Sequence, residues 1–281
     1  MKYMICLFAL FLVSCANNSQ SIKVKGSDTE VNLAVTLAEN FYKINNDYSL
    51  SISGGGSGLG IASLLNGQTD AANSSRPINE EEEKLFKIKN IRLRTVVFAE
   101  DATAFIVQKS FPLDSIDVIT LRNILSGQYR NWKQLTGQDM PINIYGRQSN
   151  SGTHSFIRKK LKIDFSREAK EMNGNAQIMQ GIKTDKSGIG YVGVGYILHN
   201  GVSQPIKVLK ISGRKGEVAI SPLDKNAILA KRYYFQRPLY QFIPESSWKK
   251  VSAFIAYEKS DAGKRIIESS GYYILPIGKQ L

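Results

Sequence analysis

Between Ile22 and Leu161 a short apolar run ends, four times over, in a cluster of Ser, Thr and Gly, and residues at helical spacing follow. Ile22 to Lys25 reads as a strand running into Gly26-Ser27-Asp28-Thr29-Glu30, after which Ala34, Leu37, Ala38 and Phe41 repeat with the period of a helix. Ser27 and Glu30 have the spacing of a capping box. Leu50 to Ser53 is a second strand, entering Gly54-Gly55-Gly56-Ser57-Gly58 and a helix through Ile61, Leu64 and Leu65 that stops at Asn66-Gly67. The third turn, Asn73-Ser74-Ser75-Arg76-Pro77, precedes an acidic helix start at Glu80 to Glu83, where negative charge suits the helix dipole. The fourth follows a strand at Ile142 to Tyr145: Gly146-Arg147, then Ser149-Asn150-Ser151-Gly152-Thr153, then a helix carrying Phe156, Ile157 and Leu161. Such alternation predicts an α/β fold with helices on both faces of the sheet.

The remaining segments join two lobes. Arg92 to Gln108 is strand-like, with Val96-Val97-Phe98 and Phe105-Ile106-Val107 separated by Glu100-Asp101-Ala102-Thr103, and is read as a first crossing with a break at those four residues. Leu121, Ile124 and Leu125 mark a helix, and Gly188 to Gly193 a Gly-rich buried strand. Tyr233 to Phe242 reads as the return crossing, and the helices through Val251, Phe254 and Ile255 and up to Gly271 are expected to pack on the first lobe. About 260 residues follow the export signal, enough for two cores of ordinary size.

The N-terminus predicts export. Lys2 is followed by the apolar run Ile5 to Val13, too short to span a bilayer, so residues 1–14 read as a signal peptide. Leu12-Val13-Ser14-Cys15 is a lipobox, which makes Cys15 the expected lipid-bearing first residue of the mature chain and 15–21 a flexible tether. The bland alternative is an ordinary cleaved signal in which Cys15 is incidental. The other cysteine, Cys6, leaves with the signal, so the mature body has no thiol pair, and His154 and His199 alone do not make a structural metal site. The formal charge of +13 is spread among acids without a basic arm or an aromatic RNA-binding signature, which argues against nucleic acid and for solvated surface charge with a mild pull on anions.

Turns of this composition suit a tetrahedral oxyanion. Backbone N–H groups at a helix N-terminus are unpaired and carry partial positive charge, hydroxyls add donors that rotate to fit, and Arg76 and Arg147 bring charge-assisted bonds. One such turn alone would be an ordinary helix cap. Four in one α/β chain point to a shared anion.

Taken in order, Gly26-Ser27-Asp28-Thr29, Gly54 to Ile61, Asp70 to Pro77, Ile124-Leu125-Ser126-Gly127 leading to Asn131-Trp132, Gly146 to Thr153, Gly188 to Gly193 and Arg237-Pro238-Leu239-Tyr240 resemble the PstS-type phosphate-binding proteins of ABC transporters. The Arg-x-x-x-Ser-Gly-Thr element is the most specific of these, and the likeness runs from Val24 to Tyr273. It implies a two-lobed type II periplasmic-binding-protein fold with the ligand cleft between lobes joined by crossing strands. The lobes are then 22–100 with 235–281, and 101–234. It implies phosphate ligands at Ser27, Thr29, Ser57, Ser75 and Arg76 from the first lobe, and at Arg147, Ser151, Gly152 and Thr153 from the second. It further implies a monomer without cofactor that takes inorganic phosphate to permease subunits and their ATPase, held to the membrane through Cys15.

One departure bears on selectivity. Some relatives carry an Asp in the third turn, where this chain has Ser75-Arg76. A carboxylate there accepts the phosphate proton and repels fully ionised sulfate. Asp28 is the candidate acceptor here, with Asp101 a second; the plainer roles are helix capping for Asp28 and a hinge for Asp101. Another oxyanion such as sulfate, or a surface sensor without a transporter, therefore stays open. A serine hydrolase is the reading from another class. The chain lacks a Gly-x-Ser-x-Gly elbow and the Gly-Lys-Ser/Thr end of a P-loop, and His154 reads as an exposed residue on the first turn of its helix.

Overall fold

The computed structural model describes residues 20–199 and 205–274. The expected signal segment and the lipid-bearing Cys15 lie outside the described residues. Along the chain run β1 (Gln20–Gly26), α1 (Val31–Ile44), β2 (Tyr48–Ser53), α2 (Ser57–Leu65), β3 (Ala71–Ser74), α3 (Glu80–Ile88) and β4 (Leu93–Gln108). Then come β5 (Ser115–Asp117), α4 (Val118–Leu125), α5 (Lys133–Thr136), β6 (Asn143–Arg147), α6 (Gly152–Leu161), β7 (Lys170–Met172), α7 (Asn175–Thr184), β8 (Gly188–Gly193) and α8 (Val194–His199). The chain continues through β9 (Ile206–Val208), β10 (Lys210–Ser212), α9 (Lys225–Leu229), β11 (Gln236–Pro244), α10 (Glu245–Lys259) and α11 (Asp261–Ser269).

In the first lobe β1 lies between parallel partners β2 and β3, and β11 runs antiparallel along the far side of β3. Successive strand residues face opposite sides of a sheet. Ala71 accordingly joins Ile22, Val24, Leu37 and Phe41 beneath α1, α10 and α11, while its neighbour Ala72 joins Ile61, Leu64 and Phe86 beneath α2 and α3. Val251, Phe254 and Ile255 of α10 belong to the first of these clusters, as the C-terminal pattern predicts. The second lobe repeats the plan, with β6 parallel to β8 and β7 and a single large core that includes Phe105, Trp132, Ile157 and Tyr191. Trp132 is fully buried there and donates its indole N–H to the Ser187 carbonyl at 2.9 Å.

Both lobes hang on β4. Its first part, Leu93 to Ala102, pairs antiparallel with β11, and its second part, Thr103 to Val107, pairs with β8. The strand runs unbroken through Glu100 to Thr103, contrary to the break expected from those polar residues. Their polarity is accommodated because Asp101 stands opposite Arg237 on β11. Two other expectations are corrected. The tether does not extend to Ser21, because Gln20 and Ser21 pair with Tyr48 and Ser49 and begin β1. Nor does the Ser27–Glu30 capping box form: α1 starts at Val31 with no side-chain cap bond, and Glu30 turns into the interior, where it is fully buried. Among the described residues no helix is long and apolar enough to cross a membrane.

The turns reach their common place only because α2 lies close on β1. A Cβ on Gly60 would stand 2.4 Å from the Lys25 carbonyl oxygen and 2.7 Å from the Gly26 Cα, so any side chain pushes the helix off the strand. Overpacking of this kind costs about 1–3 kcal/mol. Gly60→Ala should lower the melting temperature by about 2–12 °C in a chain of this size; an unchanged melting temperature would show that the helix is free to shift.

Candidate functional site

The turns after β1, β2, β3 and β6 meet at the carboxyl ends of their strands, in the crevice between the lobes, where open α/β sheets characteristically bind ligands. Ser27, Thr29, Ser57, Ser75, Ser151 and Thr153 are each no more than 3 % exposed. Two contacts tie the cluster across the cleft and within it. Thr29 Oγ1 lies 3.0 Å from Thr153 Oγ1, one from each lobe. Ser57 Oγ accepts from the Ser75 amide at 3.1 Å and lies 3.4 Å from Ser75 Oγ. Gly152 makes the approach possible, since a Cβ there would be 2.2 Å from Ser57 Oγ and 2.5 Å from Ser75 Oγ. Asn150 closes the contact from the second lobe: its carbonyl accepts from the Gly58 amide at 2.9 Å.

Ser151 is the N-cap of α6, accepting from the His154 amide. The start of α2 at Ser57 and the start of α6 at Gly152 thus aim two helix N-termini at one place, and unpaired helix N–H groups favour an anion there. Ser27 Oγ is buried without a regular hydrogen bond.

Two buried guanidinium groups flank the hydroxyls. Arg147, at the end of β6, donates to Asp28 Oδ2 at 3.3 Å and to the Asn173 carbonyl at 3.0 Å, and its own amide donates to the Tyr191 hydroxyl. Burial draws its pKa down, against the pull of the Asp28 charge. The same Asp28 oxygen accepts from the Asn175 amide at 2.8 Å, so Asp28 reaches from the first lobe into the second instead of capping its own helix. Arg237, on β11, donates to Asp101 Oδ2 through Nε at 3.2 Å and Nη2 at 2.9 Å; Nη2 also stands 3.2 Å from Thr29 Oγ1 and 3.0 Å from Thr153 Oγ1. Its Nη1 is buried and has no hydrogen-bond partner. Burial pushes the Asp101 carboxyl up, while the Arg237 charge and hydrogen bond pull it down.

From the sequence, Arg237 falls in the return crossing and in one of the segments that carry the resemblance, but not among the expected ligands. The signal was an arginine inside an otherwise apolar run, since a charged residue in a buried strand needs a partner. Arg76 goes the other way. Its fork is taken by Glu82, at 2.6 and 2.7 Å, and by the Pro77 carbonyl, so it faces the start of α3 and not the hydroxyl cluster. The cause is local: Asn79 and Glu82 form the capping box of α3 and hold that carboxylate beside the turn. His154 is not exposed either; its ring stacks on Phe165 at 4.5 Å, and burial lowers its pKa.

A family model for the PBP superfamily domain matches residues 14–262. The chain belongs to this superfamily. Within it, the chain is 30 % identical over 262 residues to the phosphate-binding protein PstS of Staphylococcus aureus, covering 90 % of this chain and 78 % of that one. Protein SphX of Synechococcus elongatus is 28 % identical over 265 residues, covering 91 % and 77 %. Among solved structures, a phosphate ABC transporter substrate-binding protein from Clostridium perfringens, with phosphate bound, superimposes with a TM-score of 0.80 at 23 % identity over 91 % of this chain and all of that one. The superfamily fold, two α/β lobes with a cleft between them, is the one described above.

Behind the site this superfamily member buries two further acids. Glu30 is fully buried; burial pushes its carboxyl well above the usual range, with the Ser27 hydroxyl and the Arg237 charge pulling back. Glu258 of α10 accepts from Gln241 Nε2 at 3.0 Å, and burial drives its pKa up to about 8. Between its ordinary value of 4.5 and about 8, the folded chain keeps a proton on Glu258 that the unfolded chain releases. Stability tied to this group is therefore present at low pH and lost as pH rises through that window. Glu258→Gln cannot ionise and keeps an acceptor for Gln241. Its melting temperature should gain on the parent between about pH 5 and about pH 8, whereas a constant difference would mean that Glu258 does not titrate in the fold.

Proposed function

We propose that this protein captures inorganic phosphate between its two lobes, outside the cytoplasm, and delivers it to an ABC importer. The observation that carries this reading is the convergence, across one cleft, of buried hydroxyls from both lobes, two helix N-termini and two buried arginines. A phosphate has four oxygens and needs donors on every side once water is removed; hydrogen bonds to a charged group contribute about 1.5–3 kcal/mol each. The phosphate-binding relatives from Staphylococcus aureus and Clostridium perfringens support the same ligand.

In this reading Thr29, Ser57 and Ser75 hold the anion from the first lobe, with Ser27 behind them, and Arg147, Ser151, Gly152 and Thr153 hold it from the second. Arg237 is a second cation, placed on the crossing strand. Arg76 braces the third turn through Glu82 and is not a ligand. The lobes divide as 20–100 with 235–281, and 101–234, so that β4 and β11 form the hinge. Binding is then coupled to closure, because the best contacts require both lobes at once. Asp28 is the carboxylate that reads the phosphate proton, and it also orients Arg147. The protein binds and releases without turnover, as a monomer held on the membrane by lipid on Cys15, and permease subunits with their ATPase take the anion from it.

Calorimetry on the folded body, stripped of anion, tests the reading. Phosphate should bind with a dissociation constant of about 1 μM, roughly 8 kcal/mol. Arg147→Ala should weaken it by about a hundredfold or more, and Arg237→Lys, which keeps a charge opposite Asp101 but loses the fork, by about tenfold or more. Arg76→Ala should leave affinity within about threefold while loosening α3. Failure of phosphate to bind, or equal losses in all three variants, would contradict the assignment. Asp28→Asn should narrow the ratio of phosphate to sulfate affinity, and an unchanged ratio would remove Asp28 from selectivity.

A further inference from the structure

The chain enters the first lobe at Gln20, which pairs with Tyr48 of β2 and donates its amide to the Asp47 carbonyl. The amino ends of β1, β2, β3 and β4 lie together there, at the end of the sheet opposite the cleft. The last turns of α1 and α3 close this end, and each carries an apolar side chain out into solvent: Ile44 is 72 % exposed and Ile88 75 %. Among the large apolar residues described, only Val218 is more exposed. Tyr42, in the same turn as Ile44, is exposed as well.

Cations gather around these two points. Lys250 is balanced by Asp70 at 2.7 Å and Arg94 by Glu245 at 2.9 Å. Lys43, Lys89, Arg92 and Lys249 bring four further exposed charges, offset by Asp47. Lys43 and Lys89 suit the carboxyl ends of their helices in any case. Arg92, between α3 and β4, and Lys249, within α10, have no such reason to be cationic.

A single exposed Ile is ordinary on a protein surface. Two at one end of a lobe, on helices that cover opposite faces of the sheet and with cations around them, suit a plane and not a groove. A lipid surface is such a plane: interfacial proteins set apolar side chains at its acyl boundary and cations against anionic headgroups. The entering chain selects the same end. With lipid on Cys15, the five residue steps to Gln20 reach about 17 Å when fully extended, so the amino end of β1 is held close to the membrane.

We propose that this end of the first lobe lies on an anionic lipid surface, with Ile44 and Ile88 at the headgroup boundary and Lys43, Lys89, Arg92 and Lys249 against the headgroups. The inference rests on the lipid-anchor reading above. The cleft, at the carboxyl ends of the strands, then points away from the membrane and stays open to the solvent that carries the anion. The contact adds a second, salt-sensitive hold to that of the lipid.

The expected mature chain has no thiol besides the lipid-bearing Cys15, so Ile44→Cys and, on α4 of the second lobe, Ile119→Cys each take one environment-sensitive fluorophore. The lipidated protein is placed on vesicles of phosphatidylcholine alone and of an equal mixture with phosphatidylglycerol. On the mixture the label at position 44 should shift to the blue and be quenched about twofold or more by spin-labelled acyl chains, the label at position 119 should not, and high salt should abolish the difference. Reversing charge with Lys43→Glu, Arg92→Glu and Lys249→Glu together should remove the shift while phosphate affinity stays within about twofold. Equal signals at both positions, the same signal on both kinds of vesicle, or a shift that survives charge reversal would overturn the inference. So would a label at position 44 already shielded without vesicles in a protein of doubled mass, which would make this end a contact between copies. Protein that carries no lipid and stays off both kinds of vesicle would place the failure in the anchor reading, and this inference would fall with it.

Discussion

The structure turns on one buried ion pair, Arg237 with Asp101, set opposite each other on the two strands that cross between the lobes. Neither side chain is more than 2 % exposed. Burying two charges is expensive, and their attraction offsets the desolvation only with good geometry and further hydrogen bonds. Asp101 holds two N–H groups of the guanidinium, and the hydroxyls of Thr29 and Thr153 take up more of it. A pair placed so does little for bare stability. It fixes a positive charge on the crossing strands, facing the spot where hydroxyls from both lobes meet. β4 runs unbroken through Glu100 to Thr103 and sets Asp101 directly opposite Arg237.

Asp28 supplies the complementary constraint. By accepting from Arg147 and from the Asn175 amide it spans the cleft and orients the second guanidinium without enclosing it. An incoming anion would compete with Asp28 and the threonines for the same donors. Exchange of that kind keeps the donors satisfied with and without ligand, which limits the penalty for buried unpaired groups. It also lets one cleft both hold an anion and release it.

Much of the fold was legible because its signals are local. Apolar runs, Gly-rich turns and helical periods mark β1 through α3 and β6 through α6, and their alternation specifies parallel strands with helices on both faces. The serines and threonines of the turns were legible for the same reason, since turn composition and helix starts are read over a few residues. What escaped depends on residues far apart in sequence. Arg237 looks like a misplaced charge until Asp101 is seen opposite it, 136 positions away. Arg76 belongs by sequence to one of the anion-suited turns, but the capping box of α3 brings Glu82 under its fork. Ser27 and Glu30 have the spacing of a cap, but Glu30 is buried and makes no cap bond, and the helix starts at Val31, three residues after the start such a cap would set. Pattern describes elements; competition between partners decides which way a charged side chain turns.

The central claim is that one anion is held by both lobes and by the hinge arginine together, and a crystal structure of the protein grown with phosphate tests it most directly. The account predicts a phosphate whose oxygens lie within about 3 Å of donors from Thr29 or Ser57, from Thr153, and from both Arg147 and Arg237. A phosphate bound by one lobe alone, or seated away from Arg237 with the Asp101 pair and both threonine contacts unchanged, would contradict it.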